Sequence, residues 1–383
     1  MKHGFLKAAA VFTMALMCAS CAGGDVGDAT DDTPVNAVKA DSSADEILNG
    51  MTLEEKIYQM FIIRPEAIVD VDTVIQAGDA TKDALREYPV GGIIYSADNL
   101  IDTEQTQTMI ENTKSYLKIA PFISVDEEGG LVARVAQKLG TTAFEPMYTY
   151  KDDGADKANY IYTTIANDIK PLGFNLDFAP VADVWTNPDN EVIGTRAFSD
   201  EPNQAAQMVG AAVRGLQDNG VSASVKHFPG HGNTEGDSHT GFVYTSKTFD
   251  ELRECEFVPF KAGIDAGADF VMVGHIIVTD VDDVPATLSN KIVTDILKGE
   301  LGYGGLIITD GMEMGAIADN YTSAQAAVMT VQAGCDVILE PAVFTESADA
   351  LIAAVRDGTI SEERINESVR KILECKIKRG IIE

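Results

Sequence analysis

The chain has 383 residues, with 29 Lys and Arg against 60 Asp and Glu, five His and five Cys, for a formal net charge of −31. A surface this negative repels nucleic acid and anionic lipid head groups, which excludes a DNA-binding role and any membrane contact made through charge.

Positions 1–21 read as a signal segment. Lys2 and Lys7 form the basic start, Ala8 to Met17 the apolar run, and Ala19-Ser20 the small residues ahead of Cys21. The run is too short to stay in a bilayer as a spanning helix. Small residues directly before a Cys resemble the bacterial lipoprotein processing site. That implies acylation of Cys21 and an extracytoplasmic protein held on a bacterial membrane by its lipid anchor only. Cys18, standing where that pattern usually has Leu, is a second candidate for the modified residue, and plain secretion is the alternative. Loss of the segment removes two Lys and no acid, so 27 basic residues (29 less two) face 60 acidic ones, a net of −33. Cys255, Cys335 and Cys375 remain. Their wide spacing fits neither a disulfide framework nor a zinc site, and they read as buried thiols.

Residues 22–43, rich in Gly, Asp, Thr and Ala, form a flexible acidic tether. One folded domain is expected over 44–383. Thr52 followed by Leu53-Glu54-Glu55 marks a helix N-terminus. Short apolar runs then recur at Met60–Ile63, Gly92–Tyr95, Phe122–Val125, Asn175–Phe178, Ala223–Val225, Phe270–Val273, Leu306–Ile308 and Val337–Leu339. Between them lie helical periods, among them Thr103–Leu117, Lys157–Leu172, Asn203–Asn219, Asp250–Ala266, Ser323–Ala333, Glu346–Val355 and Glu362–Lys378. Strand–helix alternation implies a parallel sheet, and eight units in about 330 residues match an α/β fold of the (β/α)₈ TIM-like barrel type. An open doubly wound sheet is the other candidate, but no Gly-x-Gly-x-x-Gly follows the first strand.

In a barrel, residues just past the C-terminal strand ends share one mouth. Here those are Arg64, Ser96, Asp126, Asp183, Lys226 with His227, His275, Asp310 and Glu340. The richest stretch is Ser224 to Gly241, where a strand carrying Lys226 and His227 stops at Pro229-Gly230 and a Gly-rich loop holds His231, Asp237 and His239. Polar residues on such a loop are available for chemistry. His227 and His231 flank Pro-Gly on a loop, not one helix face, and no Cys is near, so no metal is expected. No cofactor is expected either.

Together the motifs resemble those of the family 3 glycoside hydrolases, in their β-N-acetylglucosaminidase branch. The pieces are Val125-Asp126-Glu127-Glu128-Gly129-Gly130 with Arg134, Ile193-Gly194-Thr195-Arg196-Ala197-Phe198-Ser199, Lys226-His227-Phe228-Pro229-Gly230-His231-Gly232, Asp237-Ser238-His239 and Thr309-Asp310-Gly311-Met312. The resemblance runs from about Leu53 to Lys378 and implies the single-barrel form, without the sandwich-like domain of many relatives. It makes Asp310 the nucleophile, His239 the general acid/base and Asp237 its carboxylate partner. It makes Asp126, Arg134, Arg196, Lys226 and His227 the groups that hold the terminal sugar.

Retaining hydrolysis needs a carboxylate for the anomeric carbon and a proton donor for the leaving oxygen. Imidazole, with an unperturbed pKa near ~6.5, exchanges protons close to neutrality, and a carboxylate two residues earlier orients it. Gly230, Gly232, Gly236 and Gly241 imply a loop that closes over the sugar. The expected activity is hydrolysis of terminal β-linked N-acetylglucosamine from peptidoglycan fragments or chito-oligosaccharides, by a monomer. The alternatives are a phosphorylase using the same site and a sugar-binding lipoprotein without turnover.

Overall fold

The computed structural model describes residues 43–237 and 241–382. The signal segment with Cys21, the tether up to residue 42, and His239 lie outside the described residues. The first helix is Ala44–Asn49, capped by Ser43, and the second is Leu53–Gln59. Thr52 and Glu55 close a reciprocal cap on the second helix, as the sequence there predicts.

The strands, in chain order, are β1 (Phe61–Ile63), β2 (Gly92–Ile94), β3 (Phe122–Val125), β4 (Glu127–Gly129), β5 (Val132–Ala133) and β6 (Leu176–Asp177). They continue with β7 (Ser222–Phe228), β8 (Val243–Thr245), β9 (Phe270–Val273), β10 (Ile276–Val278), β11 (Leu306–Thr309) and β12 (Ile338–Leu339). Eight of them form one sheet in the order β11-β9-β7-β6-β3-β2-β1-β12, with every pairing parallel. The ends meet through a bridge between Ile308 and Val337, where the Thr309 N–H donates to Val337 O at 3.1 Å. The sheet is therefore a closed barrel whose strands follow chain order around the ring. All eight predicted runs are barrel strands.

Parallel strands need crossovers, and helices supply them. The helix Ser323–Ala333 matches its predicted span, as does Glu362–Lys378, while Asp250–Ala266 is split into Phe249–Glu254 and Phe257–Asp265. The sequence reading did not single out the helix Asp79–Glu87, the helical stretch Lys291–Glu300, or two small accessory sheets. One accessory sheet is the antiparallel β4–β5 hairpin and the other the parallel pair β8–β10. Both sit just past barrel strands, where they shape the mouth.

At the opposite end, Phe122 and Phe270 open strands that are not neighbours in the sheet, yet their rings meet edge to face at 5.2 Å. They meet inside the ring and form its floor. Beneath them the C-terminal helix brings a fully buried Lys376, whose Nζ donates to Gln59 Oε1 at 2.9 Å and lies 5.1 Å from the Phe122 ring. Of the three cysteines, Cys335 and Cys375 are buried as expected, and Cys255 is only half-buried.

Candidate active site

At the C-terminal ends of the strands lies a cavity of about 270 Å³, a scale suited to one small-molecule unit. It is lined by Arg64, Asp126, Glu128, Arg134, Arg196, Lys226, His227, His231, Asp310, Glu313 and Glu340 together with apolar neighbours. A second cavity, of about 200 Å³ beside Ile47, Met51 and Ile119, lies at the strand starts and gathers no comparable set of charges.

One wall is a charge network centred on Glu128. The chain leaves β3 at Asp126 and enters the β4–β5 hairpin, in which successive side chains point to opposite faces. Glu127 turns outward and its carboxylate accepts from the N–H groups of Val135 at 2.6 Å and Ala136 at 3.0 Å, capping the helix Arg134–Leu139. Burial pushes its carboxyl up to about 7 against those bonds. Glu128 turns inward, where Arg196 donates to it from two nitrogens, both at 2.8 Å, and Lys226 Nζ stands 2.6 Å away. Lys226 reaches Asp126 at 2.6 Å as well. Burial alone would raise the Glu128 carboxyl, but the two cations hold it far below the usual carboxylate range. Burial would lower Lys226, and the Asp126 and Glu128 carboxylates instead hold it above its ordinary value. Glu128, Arg196 and Lys226 are thus charged together, which satisfies the requirement that buried ions be paired. The sequence reading placed Glu128 inside a motif without giving it a part. The signal was there, in two consecutive acids on a strand that must point opposite ways.

The other wall holds Asp310 at the end of β11. Its Oδ1 accepts from the Gly311 N–H at 2.8 Å. Burial would raise this carboxyl, but His227, His275, the Gly311 amide and Lys226 hold it below the ordinary value, so it stands ionised. His227 is fixed behind by Asp183, whose Oδ2 lies 2.8 Å from Nδ1. A carboxylate there requires the proton on Nδ1 and leaves Nε2 for the cavity side. The same Asp183 accepts from the His231 N–H at 2.6 Å. Burial lowers His231, with Asp183 opposing.

Strand-end position did not by itself decide which residues face the mouth. Asp183 is buried behind the two histidines, and His275 is buried with its ring nitrogens on Thr287 Oγ1 and Gly311 O, both at 2.9 Å. Ser96 caps the turn Ala97–Asn99 through Asn99 and does not line the cavity. Arg134, Asp126, Arg196, Lys226, His227 and Asp310 do line it together.

The loop after β7 also differs from expectation in its first half. Gly230 and Gly232 are packing positions, not hinges. A Cβ on Gly232 would lie 2.0 Å from Val184 O, and one on Gly230 would lie 2.4 Å from the Glu256 side chain. Asn190 Nδ2 donates to His231 O at 2.7 Å and Asn187 Nδ2 to Thr234 O at 3.1 Å, so this half is bonded to the segment before Arg196. Beyond it, Glu235 pairs antiparallel with Tyr244 of β8, which itself pairs with β10. This bridge brings together the two ends of the segment that follows Glu235. Asp237 in that segment is half-buried, and His239 lies outside the described residues. Gly236 and Gly241, by contrast, have open space where a Cβ would go.

A closed parallel barrel with ionised carboxylates and paired cations converging on its C-terminal mouth is the architecture of a barrel enzyme. The family model described as the glycosyl hydrolase family 3 N terminal domain matches residues 52–375, and the chain belongs to that family. It is 32% identical over 328 residues to "Beta-hexosaminidase A" of Pseudoalteromonas piscicida, covering 77% of this chain and 54% of that one. It is 33% identical over 295 residues to "Beta-hexosaminidase" of Stenotrophomonas maltophilia (strain K279a), covering 73% and 84%. A solved structure, a family 3 β-N-acetylglucosaminidase from Paenibacillus sp. str. FPU-7, superposes with a TM-score of 0.81 at 36% identity, over 86% of this chain and 63% of that one. The chain thus spans about half the length of the first relative and less than two thirds of the third.

Proposed function

We propose that the chain is a retaining β-N-acetylglucosaminidase that removes terminal β-linked N-acetylglucosamine from peptidoglycan fragments or chito-oligosaccharides. The observation that carries this reading is Asp310, a carboxylate kept ionised at the mouth in one cavity with Asp126, Arg134, Arg196, Lys226 and His227. The names of the relatives, hexosaminidases and a β-N-acetylglucosaminidase, support an N-acetylhexosamine in that cavity.

In this mechanism the Asp310 carboxylate attacks the anomeric carbon as His239 gives its proton to the leaving oxygen, so the glycosidic bond breaks and a glycosyl-enzyme ester forms. His239 then takes a proton from water, whose oxygen attacks the same carbon and frees Asp310. Asp237 orients the imidazole and favours its protonated form. Lys226 and Asp126 present a donor and an acceptor to sugar hydroxyls, and Arg134 and Arg196 border the same cavity. An acyl anchor on Cys21 would hold the enzyme beside the wall, which favours wall fragments as substrate.

The test is turnover of a nitrophenyl N-acetylglucosaminide by Asp310→Asn and His239→Ala. Loss of at least about a thousandfold in kcat is expected for Asp310→Asn and on the order of a hundredfold or more for His239→Ala. Turnover near the parent's by both variants would sink the assignment. Product analysis on a defined muropeptide should show free sugar with or without phosphate, and release of a sugar 1-phosphate would overturn hydrolysis.

A further inference from the structure

Glu340 follows β12, and its backbone has φ 45°, the one positive value at a non-glycine position among the described residues. Glycine enters that region freely and an L residue does not, so a glutamate kept there points to a use for its side chain. Its backbone is held by the barrel, since the Glu340 N–H donates to Ile62 O at 2.9 Å. Its carboxylate, 12% exposed, accepts from Arg64 Nε, and Arg64 Nη2 in turn donates to Glu313 Oε1 at 2.5 Å. All three line the cavity that holds Asp310.

Two atoms of this cluster are unspent. Glu340 Oε2 has no hydrogen bond among the described residues, and it lies 3.6 Å from where a Cβ on Gly311 would be, beside the segment that carries Asp310. Arg64 Nη1 likewise has none among them. An open carboxylate oxygen and an open guanidinium nitrogen, on two residues that line one cavity, offer one acceptor and one donor. Neighbouring hydroxyls on a pyranose ring answer both, because each hydroxyl donates once and accepts. The strand order places Arg64, just past β1, four positions around the ring from β7 with Lys226, and so across the mouth from it.

We propose that Glu340, held by Arg64, is a specificity-determining residue that accepts a hydrogen bond from a hydroxyl of the sugar bound before Asp310, on the side opposite Lys226. This rests on the reading of the chain as an N-acetylglucosaminidase. The sugar is then gripped from two sides, by Lys226 and Asp126 on one and by Glu340 and Arg64 on the other. A sugar without the hydroxyl would leave a desolvated carboxylate without a donor, and a site built around such a bond rejects the analogue that lacks it.

The experiment compares kcat/KM of the parent, Glu340→Gln and Glu340→Gly on nitrophenyl N-acetylglucosaminide and on its 4-deoxy and 6-deoxy forms. Burial holds the Glu340 carboxyl up near about 7 despite Arg64, so the assays run at pH 8 to keep it ionised. Glu340→Gln should lose on the order of ten- to a hundredfold on the full sugar, and that factor should shrink towards one on one of the deoxy sugars. Glu340→Gly relaxes the backbone and should melt no lower than the parent while keeping the loss of activity. A lower melting temperature with activity intact would mark Glu340 as structural and overturn the proposal. An equal loss on all three sugars, or no loss on any, would overturn it as well. A parent inactive on the full sugar would overturn the functional reading and this proposal together, which separates the two failures.

Discussion

At the scale of single residues, the site depends on Glu128 more than on any other buried acid. It lies between Lys226 and Arg196 and is the group that lets both cations stay charged out of water. Removing one partner of a buried ion network leaves the others uncompensated. Glu128→Gln should therefore cost about 3–5 kcal/mol of stability, read from urea unfolding at neutral pH. It should also reduce kcat/KM by leaving Lys226 to pair with Asp126 alone, drawing both away from the sugar. A change under about 1 kcal/mol would show that water screens the cluster more than its burial implies. The sequence made the residue types legible here and left the pairing open. Asp126, Arg196 and Lys226 lie up to 100 positions apart, and their contact is set by the ring of strands.

At the scale of elements, the segment from Gly230 to Thr234 is a packed shelf, bonded to the segment before Arg196, and the closure proposed for this loop belongs to the residues beyond it. Gly232→Ala would drive a Cβ into the Val184 carbonyl, a backbone atom that cannot step aside. A cost of at least about 1–3 kcal/mol follows from overpacking, and displacement of His231 and its neighbours by even a fraction of an ångström should lower kcat/KM roughly ten- to a hundredfold. Gly236→Ala meets no neighbour, and its φ of 90° costs only about 1–2 kcal/mol of local strain. Its effect should appear in kcat, through the proposed loop closure, with the melting temperature shifted only slightly. Parallel measurement of melts and steady-state rates for the two variants checks both. Equal melting losses would put the rigid part of the loop past Gly236. Composition marked this loop as Gly-rich, but it could not tell a glycine needed for close approach from one needed for rotation.

At the scale of the whole molecule, Lys376 is a weak point in the barrel floor. Burial lowers its ammonium to about 7, with Gln59 its one hydrogen-bond partner among the described residues and the Phe122 ring nearby. In the unfolded chain the same group titrates near ~10.4. Between those values the unfolded chain holds a proton that the native state has lost, so stability rises with pH across that window. Below about 7 both states are charged and the native state bears the full cost of burying the ion. Lys376→Met should thus raise stability at pH 7 and below by about 1–3 kcal/mol, net of the Gln59 carbonyl it leaves unpaired. The gain should fade as pH approaches 10. Thermal melts of both proteins from pH 6 to 10 would show it, and a gain that grows with pH would contradict the assigned direction.

The sequence by itself determined the eight strands, the alternation that makes them parallel, and the set of polar residues at their C-terminal ends. These follow from local patterning, because an apolar run closed by a turn carries its own backbone periodicity. Only the tertiary structure decided which of those residues share the cavity. Asp183 and His275 turned out to stand behind it, Glu128 in one wall, and Glu340 in its lining. That outcome depends on closure of the ring at Ile308 and Val337, and on the β4–β5 hairpin that redirects the chain after β3. A side chain's direction across a barrel is a property of the closed ring, and no short stretch of sequence contains the ring.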